Sequence, residues 1–253
     1  MSWRVVVIRN RAKLDLKLNT MVVRGDETFK LSLSEISTVV IENTSVSITA
    51  ALLNELIKQK IKVIFCDEKR NPSSELLPYY GSHDTSAKIR TQIKWNSFVK
   101  GVVWTEIVRD KINKQRDLLR KLEKKEYKIL DSYLKEISFN DESNREAHAS
   151  KVYFNALFGL DFTRTNSSKI NSALNYGYSI LLSAFNREIV ICGYLTQIGI
   201  FHDNMFNKFN LGSDFMEPFR PIVDELVYNM ELVKFESEEK LELVNVLNLE
   251  IKF

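Results

Sequence analysis

The sequence predicts an α+β protein: a small N-terminal β domain, a meander or sandwich holding one helix, followed by a larger all-α C-terminal domain. Three observations carry this. Apolar residues alternate with period two over the first third of the chain, the period changes to 3.6 after about Thr85, and a polar stretch with two of the four prolines separates the regimes. The boundaries that follow are 1–70 for the β domain, 71–86 for a linker and 87–253 for the helical domain.

Val5-Val6-Val7-Ile8 reads as a short buried strand. Leu14, Leu16 and Leu18 alternate with Asp15 and Lys17, and Phe29, Leu31 and Leu33 with Lys30 and Ser32, as half-buried strands do. Asn19-Thr20 and Gly25-Asp26 supply turns between them, and Thr38-Val39-Val40-Ile41 adds another strand. Ile48, Leu52 and Leu56 recur every four residues, so a helix is expected there, capped by Ser45 or Ser47. Lys62-Val63-Ile64-Phe65-Cys66 is the last strand. Past the linker, Trp104, Val108, Ile112 and Leu119 mark a long helix whose other faces carry Lys111, Lys114, Arg116, Arg120, Lys121 and Lys124. A second helix is expected from Ser143 to about Phe158. A third, from about Ile170 to Ile191, is apolar nearly all round and therefore central to its domain.

With 44% hydrophobic and 27% charged residues, the 253-residue chain can bury a core, which excludes wholesale disorder. Two cysteines, Cys66 and Cys192, cannot build a disulfide scaffold or a Cys-rich zinc site; each ends an apolar run and reads as a buried free thiol in a reducing compartment. Met1-Ser2-Trp3-Arg4-Val5 lacks the apolar core of a signal peptide, and no apolar run nears the roughly eighteen residues of a membrane span. A cytoplasmic protein with no membrane partner is expected. Net charge is only +3, but Ala87–Lys128 holds thirteen Lys/Arg against five Asp/Glu, while Asp224–Phe253 holds three against eight. That asymmetry points to a polyanionic partner on one face, with a merely solvated helix face as the competing reading.

Three histidines (His83, His148 and His202) make the catalytic search short. No zincin, Walker, dinucleotide-binding or nucleophile-elbow motif is present, so those classes lose support. Ser143 and Glu146 fit a capping box, and Asp214 with Glu217 at N3 fits another helix start, so all these acids have a structural reading. Taken together, Glu146, His202 and Glu217 supply two carboxylates and one imidazole, a ligand set suited to Mn²⁺ or Mg²⁺. Such an ion could polarise a phosphoryl oxygen and activate a hydroxyl nucleophile. The three residues come from separate helical segments, so spacing alone does not bring them together.

Several segments resemble one family. They are Ser143-Asn144-Arg145-Glu146-Ala147-His148-Ala149 with Val152–Gly159, Asn171–Tyr178, Gly199-Ile200-Phe201-His202, and Asp214-Phe215-Met216-Glu217-Pro218-Phe219-Arg220-Pro221. Together with Ser2–Val7 and Val63–Asp67 they resemble the CRISPR adaptation integrases, the Cas-one family, in the form found in type II systems. The likeness spans Trp3 to about Val227, and type II members continue through a longer helical tail than the one ending at Lys252-Phe253.

The resemblance implies a β domain followed by a helical domain, and a metal-dependent DNA integrase and endonuclease that joins prespacer 3′-hydroxyl ends to the CRISPR repeat by transesterification. It places the metal-binding and catalytic positions on Glu146, His202 and Glu217, with Asp214 as an auxiliary acid. Many family members have aspartate where Glu217 stands. It further implies double-stranded DNA (prespacer and repeat) as substrate, homodimers, the smaller protein Cas-two as partner, and other type II adaptation proteins as further partners. Arg220 lies one turn past Glu217, where it could neutralise a phosphate, and Lys111, Lys114, Arg116, Arg120 and Lys121 are expected to contact the DNA backbone. Two rivals stand beside this reading: a non-enzymatic DNA- or protein-binding module in which the acids are caps, and a general nuclease that uses water instead of a DNA hydroxyl.

Overall fold

Apolar runs of two kinds shape the N-terminal part: continuous ones that suit a sheet buried on both faces, and alternating ones that suit a sheet with one solvated face. The computed structural model describes residues 4–78, 82–230, 232 and 234–248. These fall into two units, one drawn from Met1–Tyr79 and Val244–Phe253, the other from Tyr80–Leu243.

The first unit holds strands β1 (Arg4–Ile8), β2 (Lys13–Lys17), β3 (Thr20–Arg24), β4 (Thr28–Ser32), β5 (Ile36–Ile41), β6 (Ser47–Ile48), β7 (Lys62–Cys66) and β8 (Pro72–Glu75), with helix α1 (Ala50–Lys58) between β6 and β7. They form two four-stranded sheets, ordered β1-β5-β7-β8 and β4-β3-β2-β6. β5 lies parallel to both β1 and β7, and its Val39-Val40-Ile41 run is buried, as a central parallel strand requires. Leu14, Met21 and Val23 from one sheet pack with Val39, Ile41 and Val63 from the other and with Leu52 and Leu56 of α1.

Local chemistry differs from the sequence expectation in five places. The hairpin turn is Leu18-Asn19, both at positive φ, so Leu18 is exposed instead of pointing inward, and Thr20 begins β3. Helix α1 is capped by Thr49, whose hydroxyl accepts from the Leu52 amide, and not by Ser45 or Ser47. Pro72–Glu75, within the stretch expected as linker, pairs antiparallel with β7; the antiparallel edge position tolerates a proline that cannot donate. Asn245–Asn248, within the span assigned to the helical domain, belongs with the first unit. Of the two free thiols Cys66 is buried, but Cys192 lies just past a helix end and is exposed.

The second unit contains α2 (Thr85–Ile93), α3 (Ser97–Lys121), α4 (Tyr127–Lys135), α5 (Arg145–Phe158), α6 (Lys169–Ile191), α7 (Asn210–Met216), α8 (Arg220–Asn229) and α9 (Ser237–Val244). Asn96 caps α3 by accepting from the Val99 amide (2.8 Å), and Ser168 caps α6 by accepting from Asn171 (3.1 Å). The α3 stripe Trp104, Val108, Ile112, Leu119 packs on Leu130 of α4 and on Ala149, Tyr153 and Leu157 of α5. Helix α6 buries residues on every side, as its composition predicts. Among the described residues no helix is long and apolar enough to cross a membrane.

Gly177 lets α6 and α8 approach: a Cβ there would collide with Val223 Cγ1. Gly177→Ala would gain about 1 kcal/mol of helix propensity and lose about 1–3 kcal/mol to overpacking. A lower midpoint in urea denaturation is therefore expected, and a raised midpoint would show that Val223 yields freely.

Candidate active site

Lys111 and Gln115 fall on the same α3 stripe as Trp104 and Val108, and both are buried with it. Lys111 was expected on the exposed basic face; seven residues past Trp104 and three past Val108, it points inward. Its ammonium donates to Glu146 Oε1 on α5 and to Glu217 Oε2 (2.6 Å) in the 3-10 turn Glu217–Phe219 between α7 and α8. Two of the predicted ligands, from separate segments, thus close on one cation. Burial pushes the Lys111 ammonium down, but Glu217 and Glu146 outweigh it and hold its pKa above the ordinary lysine value. Burial alone would raise Glu217, yet Lys111 and Arg220 hold it below the usual carboxylate value.

Each acid is set by local structure. Asp141, not Ser143, caps α5: its carboxylate accepts from the Arg145 (2.8 Å) and Glu146 (3.0 Å) amides, while the Ser143 hydroxyl bonds the Glu136 carbonyl. Glu146 therefore stands in the first turn of α5, with Ser150 donating to its Oε1 from four residues on (3.2 Å). Pro218 and Pro221 follow Glu217 and suit the helix start that ends the turn.

Asp214 is not a helix N-cap. It lies inside α7, fully buried, and its carboxylate accepts from the amides of Ile200 (2.5 Å), Phe201 (3.3 Å) and His202 (3.0 Å) and binds His202 Nδ1 (2.7 Å). One buried carboxylate thus caps another segment's turn and orients the imidazole, leaving Nε2 as the nitrogen available to a ligand. The Asp214 bond, against partial burial, raises the His202 pKa. The approach depends on Gly199, where a Cβ would collide with the His202 carbonyl and stand 2.8 Å from Asp214 Oδ2.

The structure brings Glu146, Glu217, Lys111 and Arg220 together. Arg220 donates to Glu217 Oε1 (2.8 Å) and lies over the Tyr178 ring (4.5 Å). His202 stands with Asp214, edge-on to Trp104. Among the described residues no three of His, Cys, Asp and Glu group closely enough to hold a metal ion as they stand. Four other predicted basic residues of α3 remain on outer faces but are paired: Lys114 with Asp110, Arg116 and Arg120 with Asp131, and Lys121 with Glu225.

A cleft of about 260 Å³ opens over this cluster. Its wall contains residues that the sequence reading missed. Asp224, fully buried on α8, accepts from the hydroxyls of Tyr153 (2.9 Å) and Tyr178, and Arg164 lies over Tyr178 at 5.3 Å. A signal was available: Tyr153 follows Glu146, and Asp224 follows Glu217, by seven residues, two helical turns along one face. A larger groove of about 570 Å³ in the first unit, over Val6, Val23, Phe29 and Leu31, has a mostly apolar lining.

The family model described as CRISPR associated protein Cas1 matches residues 5–234. The chain belongs to the Cas1 family. It is 35% identical over 235 residues to the CRISPR-associated endonuclease Cas1 of Neisseria meningitidis serogroup C (strain 8013), a match covering 91% of this chain and 76% of that protein. Two solved structures share the Cas1 fold with it. A casposase bound to integration product superposes with a TM-score of 0.78 at 19% identity, covering 98% of this chain and 82% of that one. A Cas6-RT-Cas1–Cas2 complex gives 0.69 at 18% identity, covering 97% of this chain and 32% of that one.

Asp224 offers a test of the cleft's electrostatics. Burial, opposed by its two tyrosine bonds and by Arg220 and Arg164, lifts its pKa from 3.8 to about 6. The folded state then holds this proton more tightly than the unfolded one, so its contribution to stability is greatest below about pH 4 and is lost as pH rises to about 6. Asp224→Asn cannot ionise. Between pH 4 and 7 the wild type should lose about 2–3 kcal/mol relative to the variant, read by urea denaturation at each pH. A constant difference would mean that the carboxyl titrates as an ordinary one.

Proposed function

We propose that this chain is a divalent-metal-dependent DNA endonuclease and integrase of CRISPR adaptation, which joins the 3′-hydroxyl ends of a prespacer duplex to the CRISPR repeat by transesterification. The observation that carries the reading is the shared cation position: Glu146 and Glu217, from separate segments, both contact one ammonium. Family membership, a relative named an endonuclease and a fold neighbour bound to an integration product support the reaction class. A fold neighbour in complex with Cas2 supports that partner. Homodimers, other type II adaptation proteins and a cytoplasmic setting complete the proposal.

The donor chemistry fits Mn²⁺ or Mg²⁺: two carboxyl groups, plus an imidazole whose second nitrogen is tied to a buried carboxylate. Glu146, Glu217 and His202 would hold the ion, which when bound supplies Lewis-acid polarisation of the phosphate and a lowered hydroxyl pKa. Asp214 orients His202 and fixes its tautomer. Lys111 draws both glutamates to one point. Arg220, ionised beside Glu217, meets the phosphate as charge builds on its oxygens. In the joining step the prespacer 3′-oxygen forms a bond to a repeat phosphorus as the bridging P–O bond breaks, so the number of phosphodiesters is conserved. Lys114, Arg116, Arg120 and Lys121 are proposed to contact the DNA backbone. Their present pairs are surface pairs, worth about 0–1 kcal/mol each, and exchange readily for phosphate.

Joining of a labelled prespacer duplex to a repeat-bearing plasmid in Mn²⁺ tests the assignment. Glu146→Ala and His202→Ala should abolish it, and Asp214→Asn should reduce it by about 10–100-fold; unimpaired joining by either alanine variant would sink the assignment. Water-only cleavage products would favour the general nuclease. Thermal shift separates the enzyme from a non-enzymatic module, since caps need no ion. Lys111→Met should start from a lower melting temperature, because it leaves Glu146 without its cation and the buried Glu217 with Arg220 alone, and then gain more than the wild type on adding Mn²⁺. Glu217→Gln should lose the gain.

A further inference from the structure

The loop that presents His202 carries three large apolar side chains that the catalytic reading leaves unused. Phe201 is half exposed (51%), and Met205 and Phe206 are almost wholly so (87% and 85%). Such exposure in a floppy loop would mean little. This loop is built. Asp214 accepts from the backbone amides of residues 200, 201 and 202. Asn210 donates to the carbonyls of Gln197 (3.0 Å) and Asn204 (3.1 Å) and accepts from the Asn204 amide. Asn204 accepts from the Phe206 amide and Asn207 from the Phe209 amide, both at 2.9 Å. On the side towards α2, Gln92 grips the Leu195 amide and the carbonyls of Leu195 and Ile198.

The Phe201 ring is fixed as well. It lies flat on Trp104, centroids 4.2 Å apart and planes within 4°, and Trp104 itself is buried. One face of Phe201 is therefore covered, and the half that remains exposed is the outer face. The same ring is edge-on to His202 at 6.0 Å. A rigid, open aromatic face thus adjoins the imidazole proposed to act on DNA.

We propose that Phe201, with Phe206 further along the same pinned loop, is a stacking platform for the unpaired base of the DNA strand whose end enters the site. The proposal rests on the nucleic-acid reading above. It commits to a nucleobase for a geometric reason. Bases inside a duplex have both faces covered by their neighbours, so only a terminal or unpaired base can offer a face to a single protein ring. A ring whose rotamer is already locked loses little freedom on stacking. The polar surroundings (Asp203, Asn204, Asn207 and Lys208) suit a strand end better than the apolar rim of a protein interface.

The test reads stacking directly and needs no chemistry. The full chain is titrated into a duplex with a short 3′ overhang carrying 2-aminopurine as its last nucleotide. Wild type should quench the probe. Phe201→Leu, apolar but without a π-face, and Phe206→Ala should weaken binding of the overhang roughly tenfold and reduce quenching, whereas Phe201→Tyr should retain both. A blunt duplex should show little difference between wild type and variants. Unchanged quenching in both Phe201→Leu and Phe206→Ala overturns the proposal, as does loss of self-association in these variants with quenching intact, which would assign the loop to protein contact. Phe206 is exposed enough that its variant folds even if the Phe201 turn does not. Glu146→Gln should quench like wild type; if it also still cleaves, the catalytic reading fails while the stacking result stands by itself.

Discussion

The candidate site depends on one electrostatic constraint: a lysine ammonium inside the helical unit must be neutralised where it stands. Lys111 solves this by drawing in Glu146 and Glu217. Desolvating Lys111 and Glu217 is costly, and a buried pair of this kind adds little net stability compared with apolar side chains of the same size. Its consequence is specificity. With Lys111 between them, both glutamates are aimed at one point. Arg220 extends the same logic on the far oxygen of Glu217, and its own guanidinium is carried on the Tyr178 ring. The chain of dependence reaches Asp224, whose carboxylate fixes the hydroxyls of Tyr178 and Tyr153.

A second pattern runs through the unit. Its polar side chains brace segments remote in sequence. Asp214 on α7 caps the turn at 200–202, Gln92 on α2 holds residues 195–198, and Thr105 on α3 accepts from the Asn140 amide. Each of these segments would otherwise leave backbone donors unpaired near the core. Using side chains from neighbouring helices satisfies them and, in the same act, fixes where Glu146 and His202 begin. Precision at the site is therefore a by-product of hydrogen-bond satisfaction in the loops around it.

That pattern explains what was legible in the sequence. Strands and long helices follow from periodicity, which local side-chain order sets, and the residues at motif positions follow from the family likeness. Partners across space do not. Asp214 and Ser143 both look like caps of their own helices because capping rules are local, while the real bonds of Asp214 cross twelve to fourteen residues. Lys111 was masked by its neighbours: in a run dense with Lys and Arg, one more cation reads as surface. Its position on the Trp104–Val108–Ile112 stripe carried the opposite message, since charge at a core position calls for a buried partner.

The same distinction revises how the basic segment should be weighed. A local excess of positive charge along the sequence suggests a strong field over α3, yet acids from elsewhere fold onto it: Asp131 of α4 serves Arg116 and Arg120, and Glu225 of α8 serves Lys121. Lys111 is removed from the surface altogether. Along Lys114–Lys121 a polyanion then meets a set of exchangeable pairs whose cations already have a carboxylate. Binding to such a face trades one ion pair for another, so its strength follows from how well phosphates can displace Asp131 and Glu225. Affinity built this way is modest per contact and sums only when a backbone runs the length of the helix, which favours an extended duplex over a small anion.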